Sequence, residues 1–422
     1  MKQSRTVARP AVVESPRHLP LVDLLVDARS ELFELAVRSG LKVLETMLEE
    51  DRTALCGPRY AHLEQRRAAR AGTVSSEVVL GGRKIAVQRP RVRADEVSLP
   101  TFQAMADVDP LNRRVVEQMV VGVATRRYAR SLEPVPATMK SRGTSKSAVS
   151  RRFVAKTAAQ LTAWQTASLE ALDLVGLLID GVHIGEHCLI VALGIAADGQ
   201  KHALGLWDGS TENTRVCQDL LANLQSRGLR TDRSLLVILD GSKALRKAVR
   251  ATFGEAALVQ RCQVHKTRNI LEYLSDRDRP WAQAILRRAY QTTDVKTAQR
   301  LLLDLARRLE HEYPSAAESV REGLDETLTV LTLKLSARLR RSLATTNAAE
   351  SLISRTRLVK RNVKRWRGGQ MMLRWVAAGI LEAVKGFRRL KGYADMPMLV
   401  NALRARDRQL ALLTTEEDRQ IA

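Results

Sequence analysis

Cysteine is scarce. The chain has four, Cys56, Cys188, Cys217 and Cys262, in 422 residues. That excludes a disulfide scaffold and predicts a reducing compartment. Long apolar runs are also missing: the longest uncharged apolar stretch near the middle, residues 188–197, falls far short of the ~20 residues that span a bilayer. No charged-then-apolar leader opens the sequence, since Lys2, Arg5 and Arg9 are followed by proline and glutamate. A cytoplasmic protein with no membrane partner is expected. There is no Ser/His/Asp nucleophile motif and no P-loop, so acyl transfer, ATP hydrolysis and a nucleotide cofactor have no support. Internal repeats and low-complexity runs are absent too. What is present is a hydrophobic fraction of 45%, enough for ordinary cores in two or three domains and too much for wholesale disorder.

Acidic residues are outnumbered. Lys and Arg total 69 against 46 Asp and Glu, a net charge of +23 and a pI near 10.5. Such an excess points to a polyanionic partner, most often nucleic acid. The excess is segregated. Residues 52–93 hold ten basic and two acidic side chains, residues 126–156 nine and one, and residues 355–391 twelve and one. The remainder is slightly acidic, a distribution that generic solubility does not require.

Local patterns divide the chain. Residues 21–50 carry leucines at helical spacing. Two short β-branched runs, 76–80 and 83–88, flank Gly81-Gly82 and predict a β-hairpin whose second strand alternates basic and apolar residues. Residues 112–160 read as a helix-turn-helix: a helix over 115–123, a short second helix over 125–132, a proline-containing linker at 133–136, and a third helix over 147–164. The first turns of that third helix present Lys146, Ser150, Arg151 and Arg152, where a recognition helix meets DNA. From 174 to 260 the predicted order is β-β-β-α-β-α-β. Short links make the first three strands antiparallel, and the helical crossovers add parallel ones. That is the order of a ribonuclease-H-like fold. Residues 266–343 read as helical throughout. A final amphipathic region, 372–390, precedes a polar tail.

Two apolar strands each end in an aspartate, Asp180 and Asp240. Functional groups collect at the carboxyl ends of strands in open α/β sheets, and paired carboxylates bind hard cations such as Mg²⁺. Two metals in such a site can serve phosphoryl transfer. Asp-Gly after a strand is also ordinary turn chemistry, and Asp198 and Asp208 precede glycine as well. Glu350 is a candidate third carboxylate, although Asn347 followed by Glu350 equally fits a capping box. Cys262 and His265 are too few for a tetrahedral zinc site, and Cys56 and His62 have no zinc-module spacing to add to them.

Four motifs then occur in order: Leu177-Leu178-Ile179-Asp180-Gly181, Ile238-Leu239-Asp240-Gly241-Ser242, Gln260-Arg261-Cys262-Gln263-Val264-His265-Lys266-Thr267-Arg268-Asn269, and Thr345-Thr346-Asn347-Ala348-Ala349-Glu350. Together they resemble the Mutator-type transposases of bacterial insertion sequences, over nearly the whole chain. The Cys-x-x-His run is the most specific element. The resemblance implies a DDE triad of Asp180, Asp240 and Glu350 that binds Mg²⁺, with Mn²⁺ as the alternative. It implies a ribonuclease-H-like core interrupted by an all-helical insertion, with Cys262 and His265 supporting the active site.

The implied layout is an N-terminal helical and β-hairpin DNA-binding region at 1–110, a helix-turn-helix domain at 111–168, a first core part at 169–265, the insertion at 266–344, and a second core part with the basic C-terminal region at 345–422. The implied activity is binding of terminal inverted repeats, metal-dependent cleavage, and transfer of the freed 3′-OH to target DNA. Lys146, Arg151 and Arg152 are the expected base readers. Arg355, Arg357, Lys360, Arg361, Lys364, Arg365 and Arg367 are the expected phosphate grip. Double-stranded DNA is the expected partner, with a homodimer assembled on it and a nucleoid-associated location. Two other classes use the same features: a DNA-binding repressor or architectural protein with a dead core, and a metal-dependent nuclease that cuts without joining.

Overall fold

The computed structural model describes residues 20–61, 68–93, 98–107, 109–132, 141–142, 144–184, 187–209, 214–360, 363 and 365–421. The chain divides into two compact units, Met1–Arg114 with Tyr128–Ser145, and Val115–Arg127 with Lys146–Ala422.

In the first unit a long helix lies on a hairpin. Helix α1 (Pro20–Cys56) precedes strands β1 (Ala69–Leu80) and β2 (Arg83–Arg93), which pair antiparallel. Gly81 and Gly82 both have positive φ, +55° and +76°. A two-residue turn that follows the twist of its strands needs this conformation, and glycine adopts it freely. Along β2, Ile85 and Val87 are buried while Ala86, Gln88 and Arg91 are exposed, so the expected alternation is present. The inward residues meet Leu44 and Leu48, one turn apart on α1, with Val78 and Leu99. Helix α2 (Pro100–Ala106) follows, and the short strand β3 (Ser141–Arg142) pairs with β2.

Helix α3 (Asp109–Val120) and helix α4 (Lys146–Thr166) stand near the first and third predicted helices of the helix-turn-helix. The second is a correction. Residues 125–132 form turns and a single 3₁₀ turn, Tyr128–Ser131, not an α-helix. So short a segment gains too few hydrogen bonds to offset helix nucleation, and Tyr128 is buried as an anchor. The boundary between the two units also falls within this stretch. The linker at 133–136 lies outside the described residues.

The second unit is built on a mixed five-stranded sheet. Its elements are β4 (Leu174–Ile184), β5 (His187–Ala196), β6 (Lys201–Gly209), α5 (Thr214–Ser226), β7 (Leu235–Leu239), α6 (Lys243–Phe253) and β8 (Ala257–Arg261). The spatial order is β6-β5-β4-β7-β8. β6, β5 and β4 are antiparallel, whereas β7 and β8 run parallel to β4. The strands are apolar without alternation because both faces are covered. Leu177, Ile179, Val237 and Leu239 meet Leu220 and Leu224 of α5 and Leu245 and Val249 of α6. Leu178, Leu236 and Ile238 face the opposite way, into a cluster built from later helices.

Seven helices then run without a strand: α7 (Gln263–Glu272), α8 (Arg279–Gln291), α9 (Val295–Leu309), α10 (Pro314–Arg321), α11 (Leu324–Thr327), α12 (Thr329–Thr332) and α13 (Ala337–Leu343). They carry their own core, including Leu286, Leu302, Leu305 and Leu309. Helices α14 (Asn347–Lys360), α15 (Gly369–Val384) and α16 (Met396–Ile421) complete the chain. Ala349, Leu352, Met372, Val376, Leu399 and Leu403 from these helices cover the second face of the sheet. The predicted polar tail is therefore largely α16, whose early turns pack inward while Leu412 and Leu413 stay exposed.

Glycine in the middle of β5 marks close packing within the sheet's core. A Cβ on Gly194 would lie 2.8 Å from Leu174 Cδ2 and 3.0 Å from Leu204 Cδ1. Overpacking a core costs about 1–3 kcal/mol. Gly194→Ala is expected to lower the calorimetric unfolding midpoint accordingly; an unchanged midpoint contradicts this packing.

Candidate active site

Strand register brings the candidate residues to one level. Ile179 pairs with Leu239, and Leu239 pairs with Arg261. The next residue on each strand is Asp180, Asp240 and Cys262. Side chains alternate along a strand, and Leu178, Ile238 and Leu258 all belong to the face covered by α14 and α15. Continuing that alternation places Asp180, Asp240 and Cys262 on the same side. Glu350 sits in the first turn of α14, the helix that buries Ala349, Leu352 and Ile353 on that face.

Asp180 is not at the end of its strand, as the sequence led one to expect. β4 continues to Ile184, because Gly181 to Ile184 stay paired with β5 after β7 has ended. The side chain is buried, 3% exposed. Asp240 does end its strand. Its Oδ1 accepts a hydrogen bond from Ser242 N at 3.0 Å, and Ser242 then caps α6. One oxygen of Asp240 thus performs the turn chemistry that competed with the catalytic reading.

Glu350 does not complete a capping box. Its Oε1 lies 3.3 Å from His265 Nε2 and 3.9 Å from an Arg268 guanidinium nitrogen. That oxygen is buried without a hydrogen-bond partner. His265 is in the first turn of α7, and Cys262 is the residue that precedes the helix. Thr346 donates to Cys262 Sγ from its backbone N at 3.4 Å and from Oγ1 at 3.5 Å, and its Oγ1 is 3.4 Å from His265 Nδ1. Burial opposes ionisation of the Cys262 thiol. Its hydrogen bonds with His265 and Thr346 outweigh that and hold it below the usual range. The His265 pKa is raised, first by Cys262 and then by the charges of Asp180 and Glu350. Each of the two groups thus favours the charged form of the other, and the imidazole lies beside the Glu350 carboxylate.

Among the described residues no three His, Cys, Asp or Glu side chains already converge to hold a metal ion. The donor set nevertheless fits one. Three carboxylates are the hard oxygen ligands that Mg²⁺ and Mn²⁺ take, and the buried, unsatisfied oxygen of Glu350 is an acceptor that a cation would satisfy. Cys262 and His265 have each other and Thr346 as partners.

A buried polar clamp, not evident in the sequence, holds α7 and the helical block against β8. The Gln260 side chain donates to Thr327 O at 2.8 Å and accepts from Val330 N at 2.9 Å. Arg261 Nε donates to Glu326 Oε2 at 3.0 Å, and Arg246 Nε donates to Glu326 Oε1 at 2.6 Å. Lys266 Nζ donates to Glu322 O at 2.6 Å; burial, then the nearby Arg261, push its pKa down to about 8. Gln260, Arg261 and Lys266 surround Cys262 and His265 in sequence, so the clamp sets the start of α7.

The expected DNA-contacting residues are only partly in view. α4 buries Val149, Phe153, Thr157 and Leu161 as one stripe, with the Phe153 ring 4.4 Å from that of Trp375. This leaves Lys146, Ser150 and Arg151 exposed, while Arg152 is half-buried. Arg365 and Arg367 are exposed. Arg361 and Lys364, and the side chains of Arg355, Arg357 and Lys360, lie outside the described residues.

The model of the Mutator family of transposases matches residues 25–389. The chain belongs to this family. The Mutator match crosses both units and stops just before α16. The chain is 32% identical over 213 residues to a transposase for insertion sequence element IS6120 of Mycolicibacterium smegmatis, covering 49% of this chain and 64% of the relative. It is 33% identical over 208 residues to a probable insertion-element transposase of Corynebacterium diphtheriae, covering 47% and 59%. A transposase for IS406 of Burkholderia multivorans is 27% identical over 342 residues, 78% and 83% of the two chains. The chain thus spans about three fifths of the length of the first two relatives. Among the described residues of this Mutator-family chain no helix is long and apolar enough to cross a membrane.

The clamp is open to test. Removing one partner of a buried ion pair strands the other charge and costs about 3–5 kcal/mol. Arg261 is nearly inaccessible, so Glu326→Ala is expected to destabilise the protein by that order in urea unfolding, and Glu326→Gln by less. Equal, small effects of both would contradict a charge-dependent clamp.

Proposed function

We propose that this chain is a DDE-type DNA transposase with a ribonuclease-H-like core interrupted by a helical insertion. The observation that carries the reading is the register that pairs Ile179 with Leu239, so that Asp180 and Asp240 follow level on adjacent parallel strands, with Glu350 in the first turn of α14, which packs on that sheet. A cation held by these three carboxylates, Mg²⁺ or Mn²⁺, would supply the positive charge that phosphoryl transfer needs at the scissile phosphate.

The chain's own residues do the rest. Burial of Asp180 excludes water from the rear of the site. His265, with Nε2 3.3 Å from Glu350 Oε1, orients that carboxylate. Arg268 offers an exposed cation next to Glu350 for a non-bridging phosphate oxygen. In the cleavage step water attacks the phosphodiester at the element end, and the P–O3′ bond breaks to leave a free 3′-OH. In the joining step that hydroxyl attacks a target phosphodiester, a P–O bond to the target strand forms, and the target's own 3′-oxygen leaves. No covalent protein intermediate is required. The first unit and α4 bind the terminal inverted repeats, the basic run at 355–367 grips phosphates, and two chains synapse the two ends as a homodimer.

Asp180→Asn, Asp240→Asn and Glu350→Gln are each expected to abolish cleavage of a terminal-repeat duplex in Mg²⁺ while leaving its gel shift intact. Near wild-type cutting by any one of them removes that residue from the triad. A second prediction concerns readout. Each good base contact is worth about 1–3 kcal/mol of discrimination. Lys146→Ala with Arg151→Ala is therefore expected to weaken binding to the terminal repeat more than to random duplex. Equal loss on both would move sequence recognition to the hairpin around Arg83 and Lys84.

A further inference from the structure

The basic patches that the proposed mechanism uses leave one strongly charged surface unassigned. Beside α14 a groove of about 1220 Å³ is lined by Lys201, Arg338, Arg341, Arg388, Arg389 and Lys391, and by no carboxylate. Two of these cations are held: Lys201 lies over the Phe387 ring, and Arg389 pairs with Asp198 at 3.6 Å. Arg338, Arg341, Arg388 and Lys391 are exposed, and among the described residues they have no carboxylate within ion-pair distance. Four like charges facing one groove repel one another, a cost that a polyanion would remove.

The groove is built. Its wall at 386–391 is tied on two sides. Leu390 N donates to Gly199 O at 2.8 Å, next to the turn between β5 and β6. Ser342 Oγ on α13 donates to Lys391 O at 2.8 Å. Gly392, at φ +89°, brings the chain so close to α13 that a Cβ there would lie 2.9 Å from Leu339 N. These contacts hold Arg388 and Lys391 opposite Arg338 and Arg341, instead of leaving them on a free loop.

The groove also reaches α14, the helix that carries Glu350. Asn347 and Ser351 line it, and Glu350 lies between them on the same turn. Arg341 and Thr345 are shared with a second cavity of about 610 Å³, between α7, α8 and α13, which adds Arg268, Arg287 and Arg340. Arg268 is the residue 3.9 Å from Glu350. Cationic surface therefore flanks Glu350 on both sides, along a path of one chemistry.

We propose that this track, from Arg388 and Lys391 through Arg338 and Arg341 to Arg268, binds the phosphodiester backbone of the DNA strand that runs through the active site. The inference rests on the transposase reading and adds a DNA-binding surface to it. Arginines spaced along a groove contact successive phosphates without reading bases.

The test is a salt titration of the full chain on a short random-sequence duplex, following fluorescence anisotropy. Each phosphate contact contributes roughly 0.9 to the slope of log affinity against log salt. The combined Arg338→Ala, Arg341→Ala, Arg388→Ala variant is expected to lose about 2–3 from that slope, and the corresponding triple lysine variant is expected to keep most of it. A wild-type slope in the alanine variant overturns the proposal, as does an equal loss in the lysine variant. Should the alanine triple unfold early, Arg388→Ala with Lys391→Ala, on side chains that support no packing, is expected to lose about 2; a wild-type slope there also overturns it. Carboxylate variants that still cleave would sink the transposase chemistry and leave the groove standing. Dead carboxylate variants beside an unaffected slope would sink the groove alone.

Discussion

Everything at the candidate site depends on the parallel register of β4, β7 and β8. Hydrogen bonding sets Ile179, Leu239 and Arg261 in one row. The row after it delivers two carboxylates and a thiol to one side of the sheet. No loop chooses that arrangement. It follows from three apolar strands buried on both faces, whose registers are fixed because a one-residue slip would turn every side chain to the wrong helix layer. The third carboxylate arrives on α14 only because Ala349, Leu352 and Ile353 press that helix onto the same face.

The second constraint is electrostatic. His265 on α7 lies 3.3 Å from the Glu350 carboxylate. Its charge is favoured by Cys262 as well as by Asp180 and Glu350. The clamp of Gln260, Arg261, Glu326 and Lys266 holds the start of α7, so the helical block is coupled to the position of His265. The Cys-x-x-His run also meets α14: Thr346, the residue before that helix, bonds the thiol and touches the imidazole.

Much of the sheet was legible because its signals are local. The apolar runs, the Gly81-Gly82 turn and the β-β-β-α-β-α-β order follow from periodicity and turn chemistry. The misses are tertiary. Asp180 looked like a strand end, but pairing with β5 carries β4 four residues further. Residues 125–132 looked helical, but Tyr128 anchors a 3₁₀ turn instead. Much of α16 is polar, and its first turns cover a surface while Leu412 and Leu413 stay exposed, so its pattern read as a tail. Asp180 and Asp240 stood out from Asp198 and Asp208 only through the family motifs, since all four precede glycine. Glu350 could not be told from a capping residue until its carboxylate was seen to face His265. The groove of Arg338, Arg341, Arg388 and Lys391 had no linear signal at all, because its two walls lie some fifty residues apart.

The segregated charge now has a structural counterpart in the basic surface beside α14, but the central claim is that Asp180, Asp240 and Glu350 form one cation site. Fe²⁺ can replace Mg²⁺ at oxygen-rich sites, and with ascorbate it generates radicals that cut the polypeptide nearby. Mapping those cuts in the full chain is the most direct measurement. The account predicts cleavage clustered around residues 180, 240 and 350, suppressed by excess Mg²⁺ and lost in Asp180→Asn. Cuts elsewhere, or cuts at these positions that Mg²⁺ does not suppress, would contradict it.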